Sequence, residues 1–273
     1  MKNSNKIYVL HEFGANSHYL GLQEHCDTNS IKLFYKEFTC IKPFFKSVFK
    51  FNIINAKNHF INILFMLNLF FTKNKTIILG AAPYDRRIVY FNYLAKKHSF
   101  YYHTSWTKWN GDYVPKNFKN QFLLKQMKEQ WKCFLEERCK GIFCVTNEVK
   151  DQIQLNYNIE ESFFSTVYHS IDDRIFNFKD HQKEESLNII FIGRLVKEKG
   201  IDELIDLINI SDSTINFGII GQGTYRKDDL ISISKKHNNV QMYGYIERED
   251  LGGILNKYDI IICPSKKIKG TVW

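Results

Sequence analysis

The chain has 273 residues, a net charge of +9 and a hydrophobic fraction of 44%, which includes 23 Phe and 15 Tyr. A chain of this length and composition can bury a large core, which excludes an intrinsically disordered protein and allows one large domain or two ordinary ones. The six cysteines form no Cys-x-x-Cys pair and no zinc-ligand spacing, so they are typical of reduced thiols in a cytosolic protein.

Residues 1–75 hold most of the charge excess, with ten lysines against four acidic residues. The first apolar run, residues 7–10, is too short for a signal peptide. The most apolar stretch, residues 60–71, is about half as long as a helix that spans a bilayer. We therefore expect a soluble or peripheral protein that meets an acidic surface or ligand through its N-terminal part.

Residues 36–57 combine basic and aromatic side chains. Lys42, Lys46 and Lys50 repeat every four residues and alternate with phenylalanines, so a helix here would be cationic on one face and aromatic on the other. This pattern is typical of a helix that lies on an anionic membrane surface. The alternative is a surface helix that covers the core of the first domain.

Short apolar runs followed by polar turns alternate with helical patterns along the chain. The stripe of Leu123, Met127, Trp131 and Leu135 predicts a helix over residues 119–139. This alternation predicts an α/β fold with parallel sheets and crossover helices. The predicted strands are residues 7–10, 76–79, 100–103, 142–145, 166–168, 189–192, 216–220, 240–243 and 260–263.

The polar segment 177–188 predicts a linker between two domains. We place an N-terminal domain at residues 1–180 and a second domain at residues 181–273. The second domain shows roughly four strands before Trp273, where an open α/β domain would usually continue. We therefore expect the chain to be truncated or incomplete at its C-terminus.

Residues 188–208 predict a buried strand, a basic loop bounded by glycines, and a helix. The loop carries Arg194 and Lys199 and ends at Gly200, and the helix follows from an apolar stripe at i, i+3, i+4 and i+7. Such a turn can bind an anion, because free backbone N–H groups and the helix dipole act together with the cations. An ordinary strand-to-helix connection with solvated lysines explains the pattern equally well.

Each predicted strand of the second domain is followed by a glycine or another small residue. In open α/β sheets, ligands bind at the carboxyl ends of the strands, and glycines let a ligand approach the backbone. The nearby Arg and Lys favour a phosphate group as that ligand. The residues in question are Gly193, Gly221, Gly223, Gly244, Pro264 and Ser265.

Motifs in residues 167–176, 193–200, 219–223, 244–251 and 258–265 carry a family resemblance. The motif at residues 193–200 reads Gly-Arg-Leu, then Glu-Lys-Gly, and the motif at residues 258–265 reads Tyr-Asp-Ile-Ile-Ile-Cys-Pro-Ser. Together they resemble the signature of the retaining glycosyltransferases of group 1, or family 4, which have the GT-B fold. The resemblance implies two Rossmann-like domains that face a cleft.

In that family, the Arg and Lys of the motif that matches residues 193–200 bind the diphosphate of the sugar donor, which implies that role for Arg194 and Lys199. Two such cations stabilise the leaving diphosphate. No divalent metal or other cofactor is therefore expected, and the sequence holds no Asp-x-Asp cluster to bind one. The other donor-binding positions that the resemblance implies are Gly193, Gly221, Gly223, Tyr245, Ile246, Pro264 and Ser265.

Two residues of the first domain also have counterparts in the family. His103, at the end of a predicted strand, resembles a histidine at the acceptor side of the cleft that contacts the donor sugar. The alternative is an ordinary polar residue at a strand end. Gly14 follows the first strand, where the family has a glycine-rich loop near the donor phosphates or the acceptor.

The family also has a Glu-x7-Glu motif that contacts the donor sugar and the ribose. It would begin shortly after Ser265, and residues 266–273 contain no glutamate. We therefore expect this chain alone to be inactive or nearly so.

The sequence thus predicts a hexosyl-type glycosyltransferase for a UDP-, GDP- or ADP-sugar donor, with a glycan or lipid-linked acceptor, in cell-surface polysaccharide synthesis. We expect it to be cytoplasmic or peripheral on the inner face of the membrane. Alternatives are another GT-B enzyme such as a nucleotide-sugar epimerase, or a non-catalytic protein that binds sugar nucleotides or a partner. A nucleic-acid partner is not expected, because the charge lies in one region without a recognised motif.

Overall fold

The computed structural model describes residues 6–12, 16–107, 109, 121–176 and 186–266. The chain divides into unit 1, Met1–Ser170, and unit 2, Ile171–Trp273. The predicted boundary at residue 180 and most of the predicted linker lie outside the described residues.

Unit 1 contains a six-stranded parallel sheet with the order β2-β1-β3-β4-β5-β6. Its strands are β1 (Lys6–His11), β2 (Lys32–Glu37), β3 (Thr76–Gly80), β4 (Ser99–Thr104), β5 (Ile142–Cys144) and β6 (Phe164–Thr166). Its helices are α1 (Leu20–Thr28), α2 (Ile41–Phe49), α3 (Ile53–Phe71), α4 (Ile88–Ala95), α5 (Gln121–Cys133) and α6 (Asn147–Asn156). Shorter turns of helix lie at Asn16–Tyr19, Phe134–Arg138 and Glu161–Phe163.

Sequence analysis did not predict strand β2. This strand has the sequence Lys-Leu-Phe-Tyr-Lys-Glu and pairs only with β1, at the edge of the sheet. An edge strand is buried on one side at most and commonly carries charged residues. Its sequence therefore lacks the continuous apolar run that indicates a central strand.

Residues 36–57 do not form the single helix that the basic and aromatic pattern suggested. They cover the end of β2, the whole of α2 and the start of α3. The two helices are separated at Phe51, whose φ of 53° lies in the left-handed region. Asn52 then begins α3, because its side chain accepts a hydrogen bond of 3.0 Å from the backbone N–H of Asn55.

The predicted helix over residues 119–139 changes from α-helical to π-helical geometry near its end. Within the described residues, α5 runs from Gln121 to Cys133, and a π-helical turn continues to Arg138. Trp131 and Leu135 are buried as predicted, but Leu123 is 39% exposed and Leu124 faces the core in its place. A spacing of four residues advances about 40° past a full turn, so the stripe rotates away from the core.

The predicted strand at residues 166–168 lies two positions too late. The observed strand β6 ends at Thr166, which pairs with Cys144, and only the N–H of Val167 continues the bonding to β5, at 2.8 Å.

An aromatic cluster fixes the end of β4 in unit 1. Tyr102 is fully buried with its ring centroid 5.4 Å from that of Trp131. Its hydroxyl donates a 2.7 Å hydrogen bond to the carbonyl of Ala81, just after β3. The indole N–H of Trp131 donates to the carbonyl of Asp85 in the same loop, at 3.1 Å. These bonds hold the carboxyl ends of β3 and β4 together, next to His103.

Unit 2 contains a four-stranded parallel sheet with the order β10-β7-β8-β9. The strands β7 (Leu187–Ile192), β8 (Ile215–Ile220), β9 (Val240–Gly244) and β10 (Ile260–Ile262) lie where the sequence predicted them. The helices are α7 (Ile201–Ile210), α8 (Lys227–Lys236) and α9 (Arg248–Leu255). The predicted apolar stripe of α7 is buried against the sheet through Ile201, Leu204, Ile205 and Ile208.

Candidate functional site

Strand order creates a topological switch point in unit 2. The chain passes from β7 to β8 and β9 on one side, and then to β10 on the other side of β7. The connections diverge at the carboxyl ends of β7 and β10, where open α/β sheets bind ligands. Gly193 and Arg194 follow β7 at this point, and Pro264 and Ser265 follow β10. The structure therefore places the predicted diphosphate-binding loop at the expected edge of the sheet.

The two glycines after β8 are required by the packing of the backbone. A Cβ on Gly221 would lie 1.8 Å from the carbonyl oxygen of Gly193, and one on Gly223 would lie 2.3 Å from that of Leu195. The backbone N–H of Gly221 donates to the carbonyl of Gly244, at 2.7 Å. These contacts explain Gly221 and Gly223 without any ligand, since a side chain at either position would push the two turns apart.

The loop after β7 is held against the loop after β10. Gly200 has a φ of 70°, and a Cβ there would lie 2.1 Å from the carbonyl oxygen of Pro264. The backbone N–H of Lys266 donates to the carbonyl of Glu198, at 3.0 Å. Lys199, in the 3-10 turn Lys197–Lys199, and Pro264 are thus brought to the same edge of the sheet.

Arg194 is exposed at this edge. Its guanidinium forms no hydrogen bond or ion pair with any residue that the structure describes. By contrast, the guanidinium of Arg226 in the same unit pairs with Asp202, at 2.8 Å, and with Asp229. Arg194 is therefore available to an anion in a way that Arg226 is not.

Two acidic residues begin helix α7 beside the basic loop, and both have partners. Asp202 accepts hydrogen bonds of 2.8 Å from the Tyr225 hydroxyl and from Arg226. These bonds lower the pKa of Asp202. Glu203 pairs with Lys266, which lowers the pKa of Glu203. Because each carboxylate is paired with a cation, the two repel an anion at the start of α7 less strongly than unpaired carboxylates would.

At the carboxyl end of β9, Gly244 has a φ of 71° and Tyr245 is 58% exposed. The Tyr245 hydroxyl donates a 3.2 Å hydrogen bond to Glu247, which raises the pKa of the tyrosine. Ile246 is half-buried. Three strand spacings separate this edge from β10, or about 14 Å. The predicted donor-binding residues of unit 2 thus extend along one edge of a single sheet.

Unit 1 has its own switch point, between β1 and β3, and histidines surround it. His11 ends β1 and His103 lies near the end of β4. The rings of His11 and His18 are 6.1 Å apart, and those of His18 and His169 are 4.8 Å apart. His103 is buried, and its Nδ1 lies 3.0 Å from the hydroxyl of Tyr19.

Sequence analysis found only His103 of this cluster and missed Tyr19, His11, His18 and His169. One signal was available for His11: it directly follows a predicted strand, as the other candidate residues do. His18 and Tyr19 lie in a short helix whose sequence has no pattern that distinguishes them, and His169 lies in the motif at residues 167–176, where it was not assigned a role. Gly14, the other predicted residue of this unit, lies outside the described residues.

A cavity of about 580 Å³ extends from the histidine cluster along the sheet of unit 1. His18, Tyr19 and His103 form its polar part, and Tyr101 and Phe143 line its apolar part as rings stacked 5.8 Å apart. Polar groups that converge at the end of an apolar cavity are typical of small-molecule sites.

Burial keeps the buried histidines of this cluster neutral near pH 7. Burial, with a smaller contribution from His18, lowers the pKa of His11 to about 4. Burial and the nearby His169, His18 and His11 lower the pKa of His103 to about 4. A neutral His103 can both donate and accept a hydrogen bond, as a contact to a sugar hydroxyl requires.

We expect the free energy of unfolding to fall as the pH is lowered from about 6.5 to about 4. A histidine whose folded pKa is below its unfolded pKa stays neutral in the native state, while the unfolded chain takes up a proton. His103 alone should contribute about 1.4 kcal/mol per pH unit over this interval. Urea unfolding followed by tryptophan fluorescence at several pH values measures this slope.

In the same experiment, His103→Gln should flatten the pH dependence. His25→Gln is the matched control, because it replaces an exposed histidine of α1 in the same unit. Equal slopes for His103→Gln and the unmodified chain would show that His103 titrates alike in the folded and unfolded states.

Among the residues that the structure describes, no group of three or more His, Cys, Asp or Glu side chains could hold a metal ion.

Residues 173–271 match the family model of the Glycosyl transferases group 1. The matched segment lies within unit 2 and covers less than half of the chain. The predicted family is thus confirmed where the motifs around Arg194, Gly221, Tyr245 and Pro264 lie. A protein in the cps region of Klebsiella pneumoniae, described as an uncharacterized 41.2 kDa protein, is 34% identical over 85 residues, which cover 31% of this chain and 23% of that protein. Matches to curated relatives span between 23% and 33% of the relatives' own length.

Two solved structures resemble the chain over most of its length. The lipopolysaccharide outer core galactosyltransferase WaaB has a TM-score of 0.54 and 18% identity, over 92% of this chain and 71% of that one. Anabaena HepE in complex with UDP has a TM-score of 0.57 and 9% identity, over 95% and 74%. These likenesses confirm the predicted fold class, two Rossmann-like α/β domains of the GT-B type.

Proposed function

We propose that this chain carries the donor-binding part of a glycosyltransferase. The enzyme transfers a hexosyl group from a nucleoside diphosphate sugar to a glycan or lipid-linked acceptor, with retention, in the synthesis of a cell-surface polysaccharide. The observation that carries the proposal is the exposed Arg194 at the switch point of a group 1 glycosyltransferase sheet.

In the proposed reaction, Arg194 and Lys199 bind the diphosphate of the donor. Breaking the glycosidic bond leaves a nucleoside diphosphate with more negative charge than the bound sugar nucleotide had. Cations fixed at this position bind the leaving group more tightly than the substrate, which lowers the barrier. A planar guanidinium also suits two phosphate oxygens at once, whereas a lysine acts as a point charge.

His103 is proposed to contact the donor sugar. When the Tyr19 hydroxyl donates to Nδ1 of His103, the proton of the neutral imidazole resides on Nε2, which can donate to a sugar oxygen. The low pKa of His103 supports this hydrogen-bonding role, because the ring is not a cation near pH 7. No step of the proposal uses a metal or another cofactor.

The acceptor and the location belong to the same proposal. The basic and apolar segment 36–57 is consistent with a cytoplasmic protein that works at an anionic membrane surface, where lipid-linked acceptors lie. No helix in the described parts of the chain is long and apolar enough to cross a bilayer.

Binding of a nucleoside diphosphate tests the proposal directly. We expect UDP, GDP or ADP to raise the melting temperature of the full chain, because a ligand that binds only the folded state stabilises it by about 2.7 kcal/mol at 100 times its Kd. UDP is the first to test, since the similar HepE structure contains it. The corresponding nucleoside is the control and should have little effect, because it lacks the phosphates that Arg194 binds. A shift with none of the three diphosphates would contradict the proposal.

The products of a reaction with a sugar nucleotide distinguish the alternatives. A glycoside indicates transfer, an isomerised sugar nucleotide indicates an epimerase, and binding without either product indicates a non-catalytic binding protein.

A further inference from the structure

Helices α2 and α3 of unit 1 pack against each other and leave most of their apolar side chains exposed. Helix α2 has no buried residue, and Leu69 is the buried residue of α3. A soluble surface rarely exposes so many large apolar side chains next to one another, so such a surface marks an interaction site. The exposed set, here called the α2–α3 face, is Ile41, Phe45, Val48, Phe49, Phe51, Ile53, Ile54, Phe60, Ile61, Leu64, Leu67 and Phe71.

The turn between the two helices forms an apolar tip. Phe49 is 80% exposed, Phe51 90%, Ile53 81% and Ile54 75%. The left-handed backbone at Phe51 reverses the chain here without a run of polar turn residues. Leaving a cluster of such residues in water is costly, since burying one aliphatic or aromatic side chain contributes about 1.5–3 kcal/mol.

The charge of the α2–α3 face has one sign. Residues 41–73 include Lys42, Lys46, Lys50, Lys57 and Lys73 and no acidic residue. Lysines beside exposed apolar groups can extend their charged ends away from a surface while their stems remain within it. Glu37 of β2 lies beside α3, with a carboxylate oxygen 3.6 Å from Nδ1 of His59, but the five lysines outnumber it. An apolar face with a mainly cationic border is complementary to a surface that is apolar inside and anionic outside.

An apolar cavity opens beside this face. Its volume is about 270 Å³, and it lies between α2, α3 and α4. A dry cavity of about 150 Å³ already accommodates a small apolar molecule such as benzene. The lining residues are Phe38, Cys40, Ile41, Ile63, Met66, Leu67, Phe70, Arg87, Tyr90 and Phe91. Arg87 contributes little free charge, because it pairs with Asp85 and with Glu12, at 3.1 Å.

We propose that the α2–α3 face docks on an anionic phospholipid bilayer, with the tip at residues 49–54 inserted among the lipids and part of an acyl chain in the cavity. In this proposal the two helices lie in the interface of the bilayer. The inference rests on the proposed function only in that it names the surface that brings a lipid-linked acceptor within reach of the enzyme.

Co-sedimentation with vesicles tests the docking without nucleotide or acceptor. At low salt, the full chain should bind vesicles that contain phosphatidylglycerol and bind pure phosphatidylcholine vesicles much more weakly. Phe49→Ser and Ile53→Ser should each weaken binding at least about tenfold, because each removes a side chain that enters the apolar layer. Lys46→Gln and Lys50→Gln should each weaken binding roughly fivefold, the equivalent of about 1 kcal/mol, and added salt should reduce this effect.

Matched controls lie elsewhere in unit 1. Leu155 of α6 is 84% exposed, so Leu155→Ser removes an equally exposed apolar side chain, and Lys125→Gln removes an exposed lysine of α5. Both variants should bind vesicles as the unmodified chain does. Equal binding by Phe49→Ser and Leu155→Ser would overturn the proposal. The proposal would also be overturned if the protein did not bind vesicles, formed a dimer in solution, and became a monomer on Phe49→Ser. The α2–α3 face would then be the interface between two copies.

A second measurement tests the cavity. Tyr90→Trp places a fluorophore at its wall, and phospholipids brominated in the acyl chain should quench this variant more than the unmodified chain. Vesicle binding without additional quenching would overturn acyl-chain insertion and leave the docking surface in place. Because none of these assays involves a sugar nucleotide, their failure is distinct from a failure to bind nucleoside diphosphates.

Discussion

Arg194→Ala should lower kcat/KM for sugar transfer by about 100-fold or more in the enzyme that carries this chain. Loss of one charge-stabilising group in an active site typically costs about 2.7–4 kcal/mol of transition-state stabilisation. Arg194 is expected to reach that range because no described residue pairs with it and it lies at the switch point of the sheet. Initial rates at low donor concentration measure the effect.

Binding provides a second readout that is independent of turnover. Arg194→Ala should also raise the Kd for the nucleoside diphosphate that stabilises the chain most. Arg194→Lys should recover part of the loss, because it restores the charge but not the bidentate geometry of the guanidinium. Lys236→Ala, which removes an exposed cation from the last turn of α8, is the control and should change neither value. If Arg194→Ala binds the diphosphate as tightly as Lys236→Ala does, Arg194 is not a donor ligand.

Gly221→Ala should destabilise unit 2 by about 3 kcal/mol or more in the absence of any ligand. The added Cβ would lie 1.8 Å from the carbonyl oxygen of Gly193, so one of the two turns must move. Overpacking of this kind costs about 1–3 kcal/mol, and the backbone at Gly221, with a φ of 156°, adds strain for any other residue. For a domain of this size, the melting temperature should fall by about 10 °C or more.

The matched control is the same substitution in α9. A Cβ on Gly253 meets no atom within 4 Å, so Gly253→Ala should be neutral or stabilise the helix by up to about 1 kcal/mol. Thermal unfolding of both variants without nucleotide separates the two roles of the glycine motif. If Gly221→Ala melts like the unmodified chain and only loses nucleotide binding, the glycine is needed for the ligand and not for the fold.

The sequence was most informative where the function and the local structure depend on the same few residues. The central strands β7 and β8 were predicted because buried parallel strands are rich in consecutive apolar residues, and the edge strands β9 and β10 because apolar residues precede the small residues that mark tight turns. Arg194, Lys199 and Pro264 could be assigned to one edge because the carboxyl ends of parallel strands always meet there. Strand β2 was missed because Lys32, Lys36 and Glu37 leave it only three consecutive apolar residues.

The histidine cluster shows the limit of the same reasoning in unit 1. His11 and His103 lie at the same edge of the sheet because β1 and β4 are the two neighbours of β3. His18 joins them from a short helix and His169 from a loop. Strand order is decided by how all the helices cover the sheet, and no single segment encodes it. The low pKa of His103 depends on that packing too, because burial is its main cause.

By itself, the sequence determined the α/β class and the strands of unit 2, since each strand is encoded in a short stretch of the chain. It also predicted the residues that would bind a diphosphate. The tertiary structure alone decided that residues 36–57 are split at Phe51, and that α2 and α3 keep their apolar side chains at the surface. An apolar sequence pattern indicates only that removing these side chains from water is favourable in free energy. Whether the protein's own core or another surface covers it depends on what the rest of the chain packs against.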